Sequence, residues 1–304
     1  MESNYLALSG KLWCNFVLSK LFAYLFCKKP NISTFYHVIA MDEVGILWIC
    51  VTIIVLSLSK FFVRLRNVLN YGFYMVFCNI VALFPLFLFP FRPFDSRNAL
   101  CAAWLGRFVA RLIGITYEIE GMENVSTSHG SIIVINHQNV LDLLVLAYIW
   151  PHIGPASVVV KKQLMYYAVF GVASWSWGSL LIDRSNPQSA IASIQRQSEA
   201  IVGRKIKLIF FPEGTRNKGE KLLPFKRGPF RLAMHCKCPV QPIVVSRNDF
   251  FRHQTTGVTS GCGVIRILPE IPTTNIPADC LPDFIEGVHR EMDEVYRELN
   301  RKNI

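Results

Sequence analysis

The stretch SIIVINHQNVLD, residues 131–142, joins a short apolar run to a polar turn and the start of an amphipathic pattern. The run at 131–135 has the length and the β-branched content of a buried strand. Helical spacing begins near Leu141, so the polar residues between the two lie on a strand-to-helix turn. Such a turn places its side chains at the carboxyl end of a strand, where open α/β sheets bind their ligands.

Short apolar runs downstream repeat this strand pattern and alternate with helical patterns. The predicted strands are 157–160, 179–183, 205–211 and 239–245. Apolar residues at helical spacing predict two helices, one with Ile191, Ile194, Ile201 and Val202, and one with Phe284, Val288, Met292, Val295 and Leu299. The apolar stretch 164–182 fits as a core helix followed by a strand. The alternation predicts an α/β fold with a central, mostly parallel or mixed sheet flanked by helices.

Two apolar stretches precede this domain, at residues 44–59 and 71–91. The second is long enough to span a bilayer, and the first is slightly short of that length. We interpret residues 1–95 as a membrane-anchoring region with hydrophobic helices and residues 96–304 as a globular domain. Basic residues lie both between the stretches and after them, so the positive-inside rule does not choose an orientation. Two spans and a re-entrant or interfacial hairpin both fit.

Composition and net charge indicate which kinds of partner the protein binds. Of 304 residues 52% are hydrophobic, and the formal net charge is +11. A basic excess suits nucleic acid, an anionic membrane surface or phosphate-bearing substrates. The basic residues are spread thinly and the composition is apolar, which disfavours nucleic acid. Nine cysteines at irregular spacing do not form a disulfide framework and indicate a reducing compartment.

His137 and Asp142 form a candidate catalytic pair. A carboxylate beside an imidazole holds one tautomer and stabilises the imidazolium, as a general base requires. Five residues on a straight helix turn by about 500°, so the two side chains would diverge by about 140°. The pairing therefore requires an irregular turn. The alternative is a histidine in a turn and an aspartate that caps a helix.

The segment FPEGTR at 211–216 follows the predicted strand 205–211 directly. Gly214 allows a close approach of the backbone to a ligand. Thr215 offers a hydroxyl, and Arg216 offers a planar guanidinium that matches phosphate oxygens. Two further cations follow at 226–227, so an anion site is predicted. The alternative is a solvated polar loop.

A third cluster, GSLLIDR at 178–184, ends in an Asp-Arg pair. Arg184 either forms a structural salt bridge or adds a cation to the same anion site. Motifs of other chemistries are absent. The sequence has no G-x-S-x-G elbow, no GxGxxG or Walker A loop and no HExxH site.

Taken in order, these blocks resemble the glycerolipid acyltransferase family, and its 1-acylglycerol-3-phosphate (lysophosphatidate) acyltransferases in particular. The resemblance covers roughly residues 115–300. It rests on NHQNVLD at 136–142, GSLLIDR at 178–184, FPEGTRN at 211–217, VQPIVVS at 240–246 and LPFKRG at 223–228. One departure is Val245, where the fourth block of the family often has a second proline.

The resemblance implies transfer of a fatty acyl group from acyl-CoA to the sn-2 hydroxyl of 1-acyl-sn-glycerol 3-phosphate. The product would be phosphatidate, used in phospholipid and triacylglycerol synthesis. His137 is expected to be the general base, and Asp142 its orienting partner. The glycerol phosphate is expected at Arg184, Glu213, Gly214, Thr215 and Arg216. No metal and no bound cofactor is expected, since acyl-CoA is a co-substrate.

The resemblance also implies a place in the endoplasmic reticulum membrane, with the catalytic face toward the cytosol. The expected partners are lysophosphatidate, acyl-CoA and the lipid bilayer, without nucleic acid. Two alternatives stay open at this point. One is an acyltransferase acting on glycerol 3-phosphate or on another lysophospholipid. The other is a non-catalytic membrane protein that binds lipid.

Overall fold

The computed structural model describes residues 32–83, 90–93, 95–161, 173, 176, 178–182, 198–199, 201–217, 219–248, 250–252 and 257–302. By its internal contacts the chain divides into two units, Met1–Val63 and Arg64–Ile304. This division falls inside the helix α1 (Ile32–Leu83). The domain boundary near residue 95 stays a prediction.

Helix α1 corrects the expectation of two separate N-terminal helices. Both apolar stretches, as far as they are described, lie on this one continuous helix. The basic segment between them, 60–70, contains neither glycine nor proline, so the change in hydropathy is not a break in the backbone. Within the described part of the chain, Leu47–Ile80 is long and apolar enough to cross a membrane. This segment indicates membrane association.

The second unit is built on a mixed sheet. The strands are β1 (Ile115–Glu120), β2 (Ile132–Ile135), β3 (Ala156–Lys161), β4 (Leu180–Ile182), β5 (Lys207–Phe210), β6 (Val240–Val245), β7 (Phe251–Arg252), β8 (Gly257–Val258) and β9 (Gly261–Ile267). Seven of them form one sheet in the order β1-β9-β6-β2-β5-β3-β4, and β7 pairs with β8. Neighbours in the large sheet are parallel except β6 and β9, which are antiparallel. The predicted α/β class with a mostly parallel, mixed sheet is confirmed.

Helices cover both faces of this sheet. They are α2 (Asn98–Leu112), α3 (Asp142–Ile153), α4 (Gly228–Cys236) and α5 (Leu281–Lys302). Side chains of a strand alternate between faces, so Ile133 and Ile135 of β2 pack with α2 and α3. Ile132 and Val134 pack with α4 and α5 on the other face. The predicted C-terminal helix is confirmed as α5. The helix predicted at 191–202 lies largely outside the described residues, as does most of 164–182.

Three loops meet at one edge of the sheet. Strand β2 lies between β6 and β5, and all three strands are parallel. Their carboxyl ends therefore meet at the same edge. The chain leaves β2 into 136–141, β5 into 211–217 and β6 into 246–248. Two of the segments predicted to carry the chemistry, 136–142 and 211–216, follow β2 and β5, whereas GSLLIDR contains β4.

Candidate active site

The imidazole of His137 contacts the carboxylate of Asp142. The Nδ1 atom lies 2.6 Å from Oδ2 of Asp142. Asp142 is the first residue of α3, and His137 lies in the non-helical turn before it, so the divergence expected on a straight helix does not apply. The same Oδ2 accepts the backbone N–H groups of Gln138 at 2.8 Å and Asn139 at 3.1 Å. The predicted contact is confirmed, and the catalytic role of the two residues stays a prediction.

Burial differs between the two partners in a way that suits a base and its orienting group. The side chain of Asp142 is 6% exposed and that of His137 is 22% exposed. A carboxylate can only accept, so Nδ1 of His137 donates in this contact, and in the neutral imidazole Nε2 is then the nitrogen that can accept a proton. The ring of Phe211 lies 4.3 Å from the imidazole, centroid to centroid, at 31°. This contact limits rotation of the imidazole, and Phe211 was not singled out by the sequence analysis.

The carboxylate of Glu213 links two loops. Its Oε1 accepts the backbone N–H of His137 at 2.9 Å, and its Oε2 accepts the backbone N–H of Leu223 at 3.0 Å. The residue is 2% exposed. Burial raises the pKa of the Glu213 carboxyl, and the two N–H donors partly oppose this shift. Both oxygens therefore bond to the protein backbone, and the expected contact with substrate phosphate stays a prediction.

The loop after β5 turns sharply at Gly214 and then faces solvent. Gly214 has a φ of 71°, in the left-handed region that favours glycine, and its N–H donates to the carbonyl of Phe211 at 3.1 Å. Thr215 and Arg216, which follow, are exposed. The loop then returns to the His137 turn, because the N–H of Asn217 donates to the carbonyl of His137 at 2.7 Å. An exposed hydroxyl and guanidinium thus lie on a loop hydrogen-bonded to the His137 turn.

The LPFKRG segment packs against the same loop. The N–H of Lys226 donates to the carbonyl of Pro212 at 2.8 Å. Helix α5 holds the residues just before this segment, since Asp293 Oδ1 accepts the N–H of Leu222 at 2.8 Å and the Tyr296 hydroxyl donates to the carbonyl of Gly219 at 3.1 Å. The structure therefore brings together every predicted site residue that it describes. Arg184 lies outside the described residues.

Two buried amides that the sequence analysis missed connect the His137 turn to the end of β6. Asn136 donates to the carbonyl of Val245 at 3.0 Å and accepts its N–H at 2.8 Å. Gln138 donates to the carbonyls of Val245 and Ser246 at 3.1 and 2.8 Å, and accepts the N–H of Asn248 at 2.8 Å. Both amides lie inside the NHQNVLD block. Their signal is polarity at positions next to a fully buried strand, where a polar group needs partners.

The departure at Val245 has a structural consequence. The residue stands where the resembled family often has a second proline, and its N–H donates to Oδ1 of Asn136. Proline has no N–H and could not make this bond. Valine therefore adds one hydrogen bond between β6 and the His137 turn.

Comparison with known proteins places these features in a family context. Residues 116–246, which contain all five segments that carry the resemblance, match the Acyltransferase protein family. The human 1-acyl-sn-glycerol-3-phosphate acyltransferase alpha is 34% identical over 190 residues, which are 62% of this chain and 66% of the relative, just under two thirds of its length. The protein acl-1 of Caenorhabditis elegans is 34% identical over 186 residues, 59% of this chain and 70% of that protein.

A solved structure shares the fold. The crystal structure of the 1-acyl-sn-glycerophosphate (LPA) acyltransferase PlsC from Thermotoga maritima superposes with a TM-score of 0.61 at 20% sequence identity. The likeness covers 76% of this chain and 97% of the bacterial one. At this identity the comparison establishes the architecture of the α/β unit.

Proposed function

The chain belongs to the acyltransferase family that includes the 1-acyl-sn-glycerol-3-phosphate acyltransferases, and we propose from this premise that it acylates lysophosphatidate. The donor is acyl-CoA, the acceptor is the sn-2 hydroxyl of 1-acyl-sn-glycerol 3-phosphate, and the product is phosphatidate for phospholipid and triacylglycerol synthesis. The observation that carries the proposal is the contact of 2.6 Å between His137 and Asp142. This pair lies beside the exposed loop after β5, which carries Arg216.

The reaction is a direct transfer by general base catalysis. Nε2 of His137 takes the proton of the acceptor hydroxyl as its oxygen bonds to the thioester carbonyl carbon. Asp142 stabilises the imidazolium that forms. The carbon–sulfur bond then breaks, and the proton passes from Nε2 to the leaving sulfur of CoA. Atoms and charges balance without a covalent acyl-enzyme.

The phosphate of the acceptor is held by the loop after β5. The guanidinium of Arg216 can bind two phosphate oxygens in a planar fork. Thr215 offers a hydroxyl donor, and Gly214 leaves room for the phosphate to approach the backbone. Arg184 adds a second cation in this proposal. Both substrates carry phosphates, in keeping with the net charge of +11.

Replacing Arg216 with glutamine is expected to raise the KM for lysophosphatidate while kcat stays nearly unchanged. A hydrogen bond to a charged group contributes about 1.5–3 kcal/mol, so the KM should rise roughly tenfold to a hundredfold. Steady-state rates at varied lysophosphatidate measure this. The matched control is Arg204→Gln, an exposed arginine at the opposite end of β5, which changes the net charge equally. An unchanged KM in the Arg216 variant would show that Arg216 does not bind the phosphate of the acceptor.

We assign Glu213 a positioning role in place of the predicted contact with the substrate. A buried carboxylate beside an anionic phosphate is unfavourable, and both oxygens of Glu213 already accept N–H groups. Through these bonds the residue holds the backbone of His137 against the Leu223 segment. The carboxylate thus fixes the position of the His137 backbone, and with it the position of the imidazole.

Replacing Glu213 with glutamine is expected to lower kcat and leave the KM for lysophosphatidate within about threefold of the parent value. The NH₂ group of the new amide faces the backbone N–H of either His137 or Leu223. That N–H loses its acceptor, and the His137 turn shifts. A displacement of about 1 Å at a catalytic group lowers the rate by up to about a hundredfold. Steady-state kinetics give both constants, with Glu291→Gln on the exposed side of α5 as the control. A large rise in the KM for lysophosphatidate with an unchanged kcat would instead support direct contact between Glu213 and the substrate.

The membrane setting is part of the proposal. Residues 1–95 act as the anchoring region, and residues 96–304 as the acyltransferase domain. The apolar segment Leu47–Ile80 supports attachment to a bilayer. The proposed bilayer is the endoplasmic reticulum membrane, with the catalytic face in the cytosol. This placement keeps the reactive edge beside a lipid acceptor and a soluble acyl-CoA donor.

Acceptor selectivity tests the proposed function. The full chain, purified in lipid nanodiscs, is offered labelled oleoyl-CoA with lysophosphatidate, glycerol 3-phosphate or lysophosphatidylcholine. We expect phosphatidate from lysophosphatidate to form at least about tenfold faster than the other products, because neither competitor combines an acyl chain with a free phosphate monoester. A preference for another acceptor would change the substrate assignment. No transfer to any acceptor would contradict the activity.

A further inference from the structure

Two thiols meet at the carboxyl end of α4. The helix ends at Cys236, and Cys238 follows after a single residue. Cys238 is 6% exposed, and its thiol donates a hydrogen bond to the sulfur of Cys236, which is only partly buried. Helix α4 begins at Gly228, the last residue of the LPFKRG segment, and its nine residues are about 13 Å long. The thiol pair therefore lies away from the reactive edge, and the proposed acyl transfer uses neither thiol.

The backbone holds the two cysteines in a closed turn. Lys237, between them, has a φ of 50°, and the N–H of Cys238 donates back to the carbonyl of Ala233 at 3.1 Å. The hydroxyl of Thr273 lies 3.1 Å from the carbonyl oxygen of Ala233 and 2.9 Å from that of Cys238. The Cα atoms of residues two positions apart are at most about 7 Å apart even in an extended chain. A turn shortens this distance into the range of about 4.4–6.8 Å that a disulfide spans.

The surroundings favour a thiolate at Cys236 and a protonated thiol at Cys238. The hydrogen bond from Cys238 lowers the pKa of Cys236, burial opposes this shift, and the Ser198 hydroxyl and His235 add to it. The Ser198 oxygen lies 3.2 Å from the sulfur of Cys236. The same thiol contact, burial and the charge of Glu270 raise the pKa of Cys238. Cys238, Ser198 and His235 act against the negative end of the α4 dipole, which is unfavourable for a thiolate. Cys236 is thus the nucleophile of the pair.

We propose that Cys236 and Cys238 form a redox-active pair that reacts with hydrogen peroxide, a property separate from acyl transfer. The Cys236 thiolate attacks one peroxide oxygen, the O–O bond breaks, and the leaving hydroxide takes a solvent proton to become water. This step leaves a sulfenic acid on Cys236. The sulfur of Cys238 then attacks the sulfenic sulfur, the S–O bond breaks, and the hydroxyl departs as water with the proton of Cys238. Two thiols are oxidised to one disulfide as the peroxide is reduced to two waters.

The pair has the two properties of a reversible thiol sensor. The reacting cysteine is partly accessible, and a second thiol in contact with it converts the sulfenic acid to a disulfide before oxidation goes further. In a reducing compartment, which the cysteine pattern predicts, disulfides are transient and serve catalysis or redox sensing. We therefore expect the pair to be reduced at rest and oxidised on exposure to peroxide.

Peptide mass spectrometry tests the pair without relying on enzymatic activity. The full chain in lipid nanodiscs is reduced, separated from the reductant, exposed to hydrogen peroxide at neutral pH for increasing times, and alkylated. The exposed Cys280 of the same chain is the internal control. We expect the Cys236 thiol to be lost at least about tenfold faster than the Cys280 thiol, because the thiolate is the reacting form. A disulfide to Cys238 that dithiothreitol reverses should appear at the same rate. Equal rates for the two thiols, or loss of Cys236 without this disulfide, would overturn the proposal.

A substitution of the buried thiol tests its part in the second step. In the Cys238→Ser variant we expect the sulfenic acid to persist on Cys236, so that dimedone labels Cys236 at least about fivefold more than in the parent. Serine keeps a donor of similar size, and thermal unfolding checks that the variant is folded. The matched control is Cys280→Ser, which should form the disulfide as the parent does. Equal dimedone labelling of Cys236 in the parent and in the Cys238 variant would show that Cys238 does not attack the sulfenic acid, and would overturn the pair.

Discussion

Replacing His137 with glutamine is expected to lower kcat for phosphatidate formation by about a hundredfold to ten thousandfold. Glutamine fills similar space against Phe211 and can still donate to Asp142, but it has no nitrogen that can take a proton. The loss should fall on kcat, while the KM values for acyl-CoA and lysophosphatidate change little. Initial rates with labelled oleoyl-CoA at varied concentrations of both substrates measure the effect.

The control for this substitution is His235→Gln. His235 is exposed on α4, away from the β2 turn, and its variant should retain the parent rate. If the His137 variant stayed within about twofold of the parent, far less than the loss of a general base, another group would have to take the proton.

Replacing Asp142 with asparagine is expected to lower kcat by about a thousandfold to ten thousandfold, as an amide does in other His–Asp pairs. Oδ2 of Asp142 accepts three donors, from the His137 ring and from the backbone of Gln138 and Asn139. An amide offers one oxygen, and its NH₂ group cannot accept. The imidazole then loses both its fixed tautomer and the negative charge that stabilises the imidazolium.

Two measurements separate this effect from general damage. Thermal unfolding of the Asp142 variant reports loss of the buried bonds, and Asp283→Asn at an exposed position of α5 is the matched control. The double variant His137→Gln/Asp142→Asn should be no slower than His137→Gln, since the two residues act as one unit. Multiplied losses in the double variant would show that Asp142 contributes independently of His137.

The central strands were predictable because of where they lie. Strands β2, β5 and β6 are buried on both faces, so each appears in the sequence as a mostly apolar run, with Lys207 in β5 and Gln241 in β6 as the polar exceptions. Strands β1 and β9 were missed, since each alternates buried and exposed residues. A short run such as ITYEIE has no apolar stretch that would distinguish it from a loop.

The site was predicted in part. The strand pattern placed His137 and the FPEGTR segment each directly after a predicted strand, and the resemblance indicated a common site and their roles. The partners of Glu213 could not be predicted, because they are backbone groups of residues 76 and 10 positions away. The same holds for Gln138, whose partners lie at the end of β6 and just after it, more than 100 positions later. Such bonds depend on strand order, which periodicity does not reveal.

The continuous helix α1 shows another limit of the sequence. The basic residues between the two apolar stretches marked a change in polarity, and this was interpreted as the end of a segment. Arginine and lysine are good helix formers, so the backbone continues through them. A change of hydropathy predicts where the environment changes and carries little information about where the helix ends.

The most direct test of the account follows the acyl group itself. The purified full chain in nanodiscs receives labelled oleoyl-CoA and 1-acyl-sn-glycerol 3-phosphate, and the label is traced to lipid position and to protein. The account predicts phosphatidate with the label at the sn-2 position, no label bound to the protein, and no product from the His137→Gln variant. Label covalently attached to the protein, or an unchanged rate in the variant, would contradict direct transfer by His137.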